Sequence, residues 1–282
     1  MSPAAGVYLL LALLPMVNLV AMSLHSIRWE QGIAHWTFEG FRHFAAMPSD
    51  PLLRAGAGNT LQFALYAVAA EMAIGLVLAL FVSRATRGRV VYRTVFLLPV
   101  LLPGIVIGAI WKLMYNPDFG VINQLLELIG IAGRDWLGDG TLALASVIAV
   151  DVWHWTPFVF LLLLAAIESL PPDVHEAALI DGAGTWQEFR HVTFPMLLPA
   201  FMVTLAFRLI VSFKVFDEVY LLTGGGPGTA TEVLSFTIYR RFFTEDRMGY
   251  GSAISVTVLF ALSLLIVLSL GAAQRRNRLR DA

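Results

Sequence analysis

"HEAALIDGAGTWQEFRHVTFPMLLP", His175 to Pro199, is the stretch that decides how this chain is read. The sequence as a whole is 58% hydrophobic and 14% charged, yet residues 168–190 hold five acids and one Arg. Pro171 and Pro172 stop the apolar run that precedes the stretch, and Asp173 stands where a helix start favours an acid. Val174, Ala177 and Ala178 fall at i, i+3 and i+4, which predicts a short helix with a small-residue face. In "DGAG", Gly182 and Gly184 supply the backbone freedom that ends it. Thr185 and Glu188 match a capping box for a second short helix, on which Trp186, Phe189 and Val192 fall close to one face. Pro195 and Pro199 close the loop and open the next apolar run. On local physics alone, this is either a solvated helical hairpin or a docking surface.

The surroundings of the loop set its context. Soluble domains carry about 45–50% apolar and about 25% charged residues. In 282 residues at 58% apolar, the apolar surface exceeds what a soluble fold buries, whereas a bilayer needs no such burial. A net charge of −1 offers no field for nucleic acid, and the lack of Cys excludes disulfides, thiolate metal sites and Cys nucleophiles. Six stretches are long enough to cross as helices: 6–24, 60–82, 95–115, 142–167, 198–222 and 251–271. The first carries no Lys or Arg ahead of it, unlike a secretory signal, and is expected to be retained. The expectation is an all-α polytopic membrane protein, one transmembrane domain over 1–282 with its core at 60–272 and a loop at 170–195.

Orientation follows from the arginines. Segments 83–94, 168–195 and 273–282 carry nine Arg in 50 residues, and the opposite segments 25–59, 116–141 and 223–250 carry seven in 89. The excess places both termini and the 168–195 loop in the cytoplasm of a multi-pass membrane protein. No internal repeat is visible. In "NPDFGVINQLLELIGIAG", Val121, Ile122, Leu125, Leu126 and Ile129 recur at helical spacing, which predicts a short helix, either interfacial or simply packed.

With these residues in view, "EAALIDGAGTWQEFRHVTFPMLLP" resembles the EAA signature of the membrane subunits of ABC importers. Glu176, Ala177, Ala178 and Gly182 fit it, with Val192 and Pro195 downstream and Phe194 in place of a Leu. "FLLPVLLPGIVIGAIWKLMYNPDFGVIN" and "FDEVYLLTGGGPGTATEVL" are similar to the sugar-uptake branch, the maltose-transporter-like larger permeases. The resemblance covers about residues 60–272 and implies a type I importer fold. It implies a coupling helix at which Glu176, Ala177, Ala178, Asp181, Gly182, Ala183 and Pro195 meet a separate ATPase. Glu176 would anchor by charge, Gly182 would give the bend, and Ala177 and Ala178 would permit close approach. The implied partners are a second homologous permease, two ATPase subunits, an extracytoplasmic substrate-binding protein and membrane lipid. ATP and Mg would sit on the ATPase, with no cofactor on this chain.

The chain's own residues agree that the energy source lies elsewhere. A P-loop needs Gly-Lys-Ser/Thr, but the only lysines are Lys112 and Lys214, preceded by Trp111 and Phe213. "GGGPG" at 224–228 has no Lys after it and reads as a turn. The six His are scattered without HExxH, no Gly-x-Ser-x-Gly occurs, and Asp151 and His154 read better as a structural pair than as metal ligands. No catalytic or metal site is expected. Charges at bilayer depth must be paired or face water. Arg208, Lys214, Asp217 and Glu218 lie in the fifth stretch, with Lys214 in helical reach of Asp217 or Glu218. Glu71 and Asp151 are acids in search of Arg208, Lys214 or Lys112. Trp111, Trp153 and Trp155 are expected to pack or to lie at the membrane interface. These charges either hold the bundle or line a path. On the resemblance, Ser212, Lys214, Asp217, Tyr220 and Arg208 belong to the substrate path. Lys214 and Val215 stand where the maltose-type pattern has amides, which widens the substrate class from neutral sugars to polyols and to amino-containing or phosphorylated compounds. The rival readings are a secondary transporter with the acids as a proton relay, and a non-transporting scaffold.

Overall fold

The computed structural model describes residues 3–84 and 89–278. Residues 85–88 of the basic connection and 279–282 of the basic tail lie outside the described residues. In chain order the helices are α1 Pro3–Ser23, α2 Arg42–Ala46, α3 Pro51–Ser83, α4 Arg89–Leu97, α5 Gly104–Met114, α6 Val121–Leu128 and α7 Ala143–Glu168. They continue with α8 Pro172–Ile180, α9 Thr185–Glu188, α10 Phe194–Ser212, α11 Asp217–Leu222, α12 Leu234–Tyr239 and α13 Met248–Arg278. A hairpin of β1 His25–Glu30 and β2 Ile33–Phe38 interrupts the helices, within a connection that sequence reasoning left without structure. Gln31 and Gly32, both at positive φ, make its two-residue turn. The contacts form two compact units among the described residues, one of 3–54 with 234–278 and one of 55–233.

In the larger unit, α3, α7 and the continuous helical run Thr185–Ser212 are long and apolar enough to span a bilayer. Their core brings Val68, Met72 and Ala79 of α3 against Val159, Phe160, Leu163 and Leu164 of α7 and Leu197 of α10. Gly75 lets α3 and α7 close up, since a Cβ there would lie 2.7 Å from Val159 Cγ1. Two of the predicted spans are broken. The stretch 95–115 bends by 98° between Leu101 and Gly104. The cause is Pro103, which holds Leu102 extended at ψ 135° and starts α5 afresh. The stretch 198–222 stops at Ser212 and resumes at Asp217. α11 packs on α5 at Gly104 and Gly108, where added Cβ atoms would sit 2.8 Å from Asp217 Oδ2 and 2.9 Å from Leu221 Cβ. This is a small-residue contact at i, i+4, a pattern written in the sequence as "GIVIG". α6 is the predicted short helix, and its buried Asn123 accepts from Trp136 Nε1 at 2.8 Å and donates to the Arg134 carbonyl at 2.9 Å.

In the smaller unit, α1 packs along α13. Of the described residues in these two helices, 11–23 and 248–264 form shorter apolar segments. Asp50 accepts hydrogen bonds from Arg241 at 2.8 Å and from Tyr250 at 2.9 Å, which fastens the start of α3 to the segment ahead of α13 and to the first turn of α13.

Candidate functional site

The polar loop folds into the two short helices its sequence dictates, with corrections to the cap of the second and to the outward face of the first. α8 ends in a left-handed turn at Gly182, φ +74°. The Gly182 N–H donates to the Leu179 carbonyl at 3.1 Å and the Ala183 N–H to the Ala178 carbonyl at 3.0 Å. This pair of bonds closes the helix C-terminus as a Schellman turn. A Cβ on Gly182 would meet nothing within 4 Å, so the backbone conformation alone asks for glycine. The predicted Thr185–Glu188 capping box does not form. Gly184 is the N-cap, and its N–H donates to Gln187 Oε1 at 3.0 Å. Thr185 therefore falls one position inside the helix.

The shift releases Glu188. Its Oε1 accepts from His175 Nδ1 at 2.7 Å, and its Oε2 lies 3.5 Å from Arg84 Nη2 at the end of α3. One carboxylate thus ties the first short helix, the second and a membrane helix together. A cavity of about 700 Å³ lies beneath, lined by Ser83, Arg84, Glu168, His175, Glu188 and Thr193 among others. Aromatic contacts run from Trp186 to Phe189, Phe194 and Phe201, with ring centroids 5.5–5.7 Å apart, and carry the loop into α10.

The loop's outward surface is partly what the sequence suggested. Glu176, Ala177, Asp181, Gly182 and Pro195 are exposed, Ala183 is half-buried, and Ala178 is buried. Ala177 and Ala178 therefore do not offer one common small-residue face. Leu179, Ile180 and Trp186 are instead the exposed large apolar groups, and sequence reasoning missed the first two. Their signal was present: on α8, Glu176, Leu179 and Ile180 fall at i, i+3 and i+4.

The second region is the break between α10 and α11. Lys214, Asp217 and Tyr220 are exposed there, while Ser212 is buried and donates to the Leu209 carbonyl at 3.0 Å. Because the helix is interrupted, Lys214 cannot pair with Asp217 or Glu218 along one face, and among the described residues it forms no ion pair. Glu218 lies instead 3.3 Å from His154 Nδ1 of α7. Phe216 and Tyr220 stack at 5.4 Å.

Arg208, expected on the path, is fully buried. It donates from Nε to Glu71 Oε2 at 2.5 Å, and from Nη2 to Glu71 Oε1 at 2.7 Å and Asp151 Oδ2 at 3.0 Å. The Trp155 ring lies 4.6 Å from its Cζ. The planar guanidinium fork suits two carboxylates in a way no Lys could. Glu71 and Asp151 thus resolve their open choice of partner in favour of Arg208, and α3, α7 and α10 are cross-tied. The "GGGPG" segment is a turn, with Gly224, Gly225 and Gly228 at positive φ and Asn59 Nδ2 donating to the Thr229 and Glu232 carbonyls at 2.8 and 2.9 Å. Among the described residues no group of His, Asp or Glu is arranged to hold a metal ion.

Residues 71–279 match the model of a family described as binding-protein-dependent transport system inner membrane component. The chain is 37% identical over 268 residues to the probable ABC transporter permease protein YurN of Bacillus subtilis, covering 93% of this chain and 91% of that one. It is 37% identical over 266 residues to the trehalose/maltose transport system permease protein MalF of Thermococcus litoralis, covering 94% and 89%. Its fold matches a chain from the crystal structure of a bacterial ABC transporter involved in the import of the acidic polysaccharide alginate. That match has a TM-score of 0.84 at 24% identity and covers 97% of this chain and 93% of the other.

Proposed function

The chain belongs to the binding-protein-dependent transport system inner membrane components, and on that premise we propose that it is a permease subunit of an ATP-driven ABC importer for carbohydrates or related polyols. It is a transport subunit rather than an enzyme, and ATP with Mg binds to a separate ATPase. The observation that carries the coupling role is the 172–193 loop. Exposed Glu176 and Asp181 flank exposed Leu179 and Ile180, so charge and apolar area face outward together. A fixed turn at Gly182 sets the angle of this surface. Such a surface suits a groove with a basic rim on an ATPase, and the Glu188 bonds to His175 and Arg84 carry its displacement into α3.

In the full assembly, this permease and a homologous mate form the pathway, two ATPase subunits engage the two loops, and an extracytoplasmic binding protein delivers substrate. Six spans, α1, α3, bent α4–α5, α7, the 185–212 run and α13, leave both termini and the loop in the cytoplasm. The substrate path runs past the break after Ser212, where Lys214, Asp217 and Tyr220 offer charge, hydrogen bonding and an aromatic face. Arg208, tied to Glu71 and Asp151, fixes the end of α10 that presents them.

The test is uptake of a labelled sugar panel into vesicles carrying this chain with its neighbouring permease, ATPase and binding protein. ATP-dependent uptake of one compound that collapses in Glu176→Lys, while the complex still assembles, supports the reading. Uptake that ignores ATP, follows a proton gradient and tolerates Glu176→Lys overturns it.

A further inference from the structure

The β1–β2 hairpin has two unlike faces. In its register His25 opposes Phe38, Ile27 opposes Trp36 and Trp29 opposes Ala34. Opposed residues of an antiparallel pair share a face, as do residues two apart along a strand. One face therefore carries His25, Ile27, Trp29, Ala34, Trp36 and Phe38. The other carries Ser26, Arg28, Glu30, His35 and Thr37, with Ile33 beside the turn. Ile27 is buried, but Trp29, Trp36 and Phe38 are 53%, 47% and 68% exposed. A contiguous exposed aromatic face of this kind marks an interaction surface.

The hairpin is not free to swing. The Glu39 N–H donates to the Leu24 carbonyl at 2.9 Å, which closes the base of the hairpin on the end of α1. His25 Nδ1 lies 2.7 Å from the Ala21 carbonyl oxygen, and His43 Nε2 lies 3.2 Å from the His25 carbonyl oxygen. Gly249 of α13 passes so close beneath that a Cβ there would collide with the His25 carbonyl. The aromatic face is thus held at a fixed place, one residue beyond the end of an apolar helix.

We propose that this aromatic face is a membrane-surface anchor, lying in the lipid headgroup layer beside the end of α1. The argument for lipid is continuity. Leu13, Leu14, Val17 and Val20 of α1 are exposed and apolar, the last of them about one helical turn before the hairpin begins. A span ends at the headgroups, and there tryptophan rings, with an apolar body and one N–H, are most at home. The hairpin's second face, with Arg28, Glu30 and His35, then meets water and charged headgroups. The device is an amphipathic hairpin doing what amphipathic helices do at bilayer surfaces. It rests on the chain's place in the membrane and not on its substrate or on the coupling loop.

The experiment uses the assembled transporter in liposomes. This chain has no Cys, so single cysteines can be placed in it against partner subunits whose own cysteines have been replaced. Spin labels at Trp36→Cys and Phe38→Cys are compared with labels at His35→Cys and Thr37→Cys. The expected result is a ratio of oxygen accessibility to water-soluble nickel chelate accessibility that is clearly higher at 36 and 38 than at 35 and 37. Labels at 36 and 38 that are as open to the chelate as those at 35 and 37, or shielded from both reagents by a partner protein, overturn the proposal. Should the cysteine variants fail to assemble, headgroup-proximal brominated lipid serves as a quencher of the native fluorescence. A loss of quenching in Trp29→Phe/Trp36→Phe supports the anchor, and unchanged quenching overturns it.

Discussion

His175 Nδ1 donates to Glu188 Oε1 at 2.7 Å across the two arms of the polar loop, thirteen residues apart in sequence. With Arg84 on the other oxygen of Glu188, the loop is attached by charge to α3 in addition to its chain connections to α7 and α10. Glu188→Gln keeps the shape and removes the charge. A coupling contact of this size is worth about 1 kcal/mol, or roughly fivefold. Transport per ATP hydrolysed is expected to fall by that order while ATPase activity persists. Parallel uptake and phosphate-release assays on the assembled complex check it, and an unchanged ratio would remove Glu188 from the transmission route.

Gly182 tests the backbone of the loop rather than its contacts. At φ +74° with open space around it, alanine pays only left-handed strain, about 1–2 kcal/mol. Gly182→Ala is expected to lower coupled transport modestly, and Gly182→Val to lower it further. Gly182→Asn should come close to wild type, because asparagine tolerates this conformation. The order of the three in the uptake assay is the readout.

Arg208 is held by two buried carboxylates. Removing one partner of a buried ion pair costs about 3–5 kcal/mol, because the remaining charges lose their counter-charge. Arg208→Met is expected to lower the melting temperature of the detergent-solubilised complex sharply. Adding Glu71→Gln and Asp151→Asn should recover part of the loss, since residues in one network are not additive. Thermal unfolding followed by fluorescence decides the matter.

Asp50 sets a dependence on acid. Burial pushes its carboxyl up, but hydrogen bonds from Tyr250, Arg241 and the Leu53 N–H outweigh this and hold it below the ordinary aspartate value of 3.8. A carboxyl lowered in the folded state contributes stability above its unfolded value and loses it as pH falls through the folded one. Wild type is therefore expected to lose more stability than Asp50→Asn on acidification below about pH 4. Melting curves of the two proteins taken at neutral pH and below pH 4 measure the difference.

Lys214 is exposed and lacks an ion pair among the described residues. On the substrate-path reading, Lys214→Gln is expected to raise the KM for uptake several-fold and leave ATPase stimulation by the binding protein intact. Equal loss of both would move Lys214 from the path to the fold.

Much of this was legible in the chain itself. Long apolar runs in a chain poor in charge have one stable home, and the Pro–Pro, Gly-rich and acidic punctuation around 168–199 dictates two short helices between spans. The Gly182 turn is local, and local backbone chemistry is what a sequence encodes most directly. Other features were written but needed a partner to be read, such as "GIVIG", which becomes a contact only because α11 lies on it. The hairpin face was missed because alternation over six residues is a weak signal beside 20-residue apolar runs. Tertiary structure alone decided which charges meet. Arg208, Glu71 and Asp151 are up to 137 residues apart, and Glu188 was a cap candidate until the helix began one residue earlier. Electrostatic pairing depends on distances of a few ångströms, and those are set by how helices pack rather than by the order of residues along them.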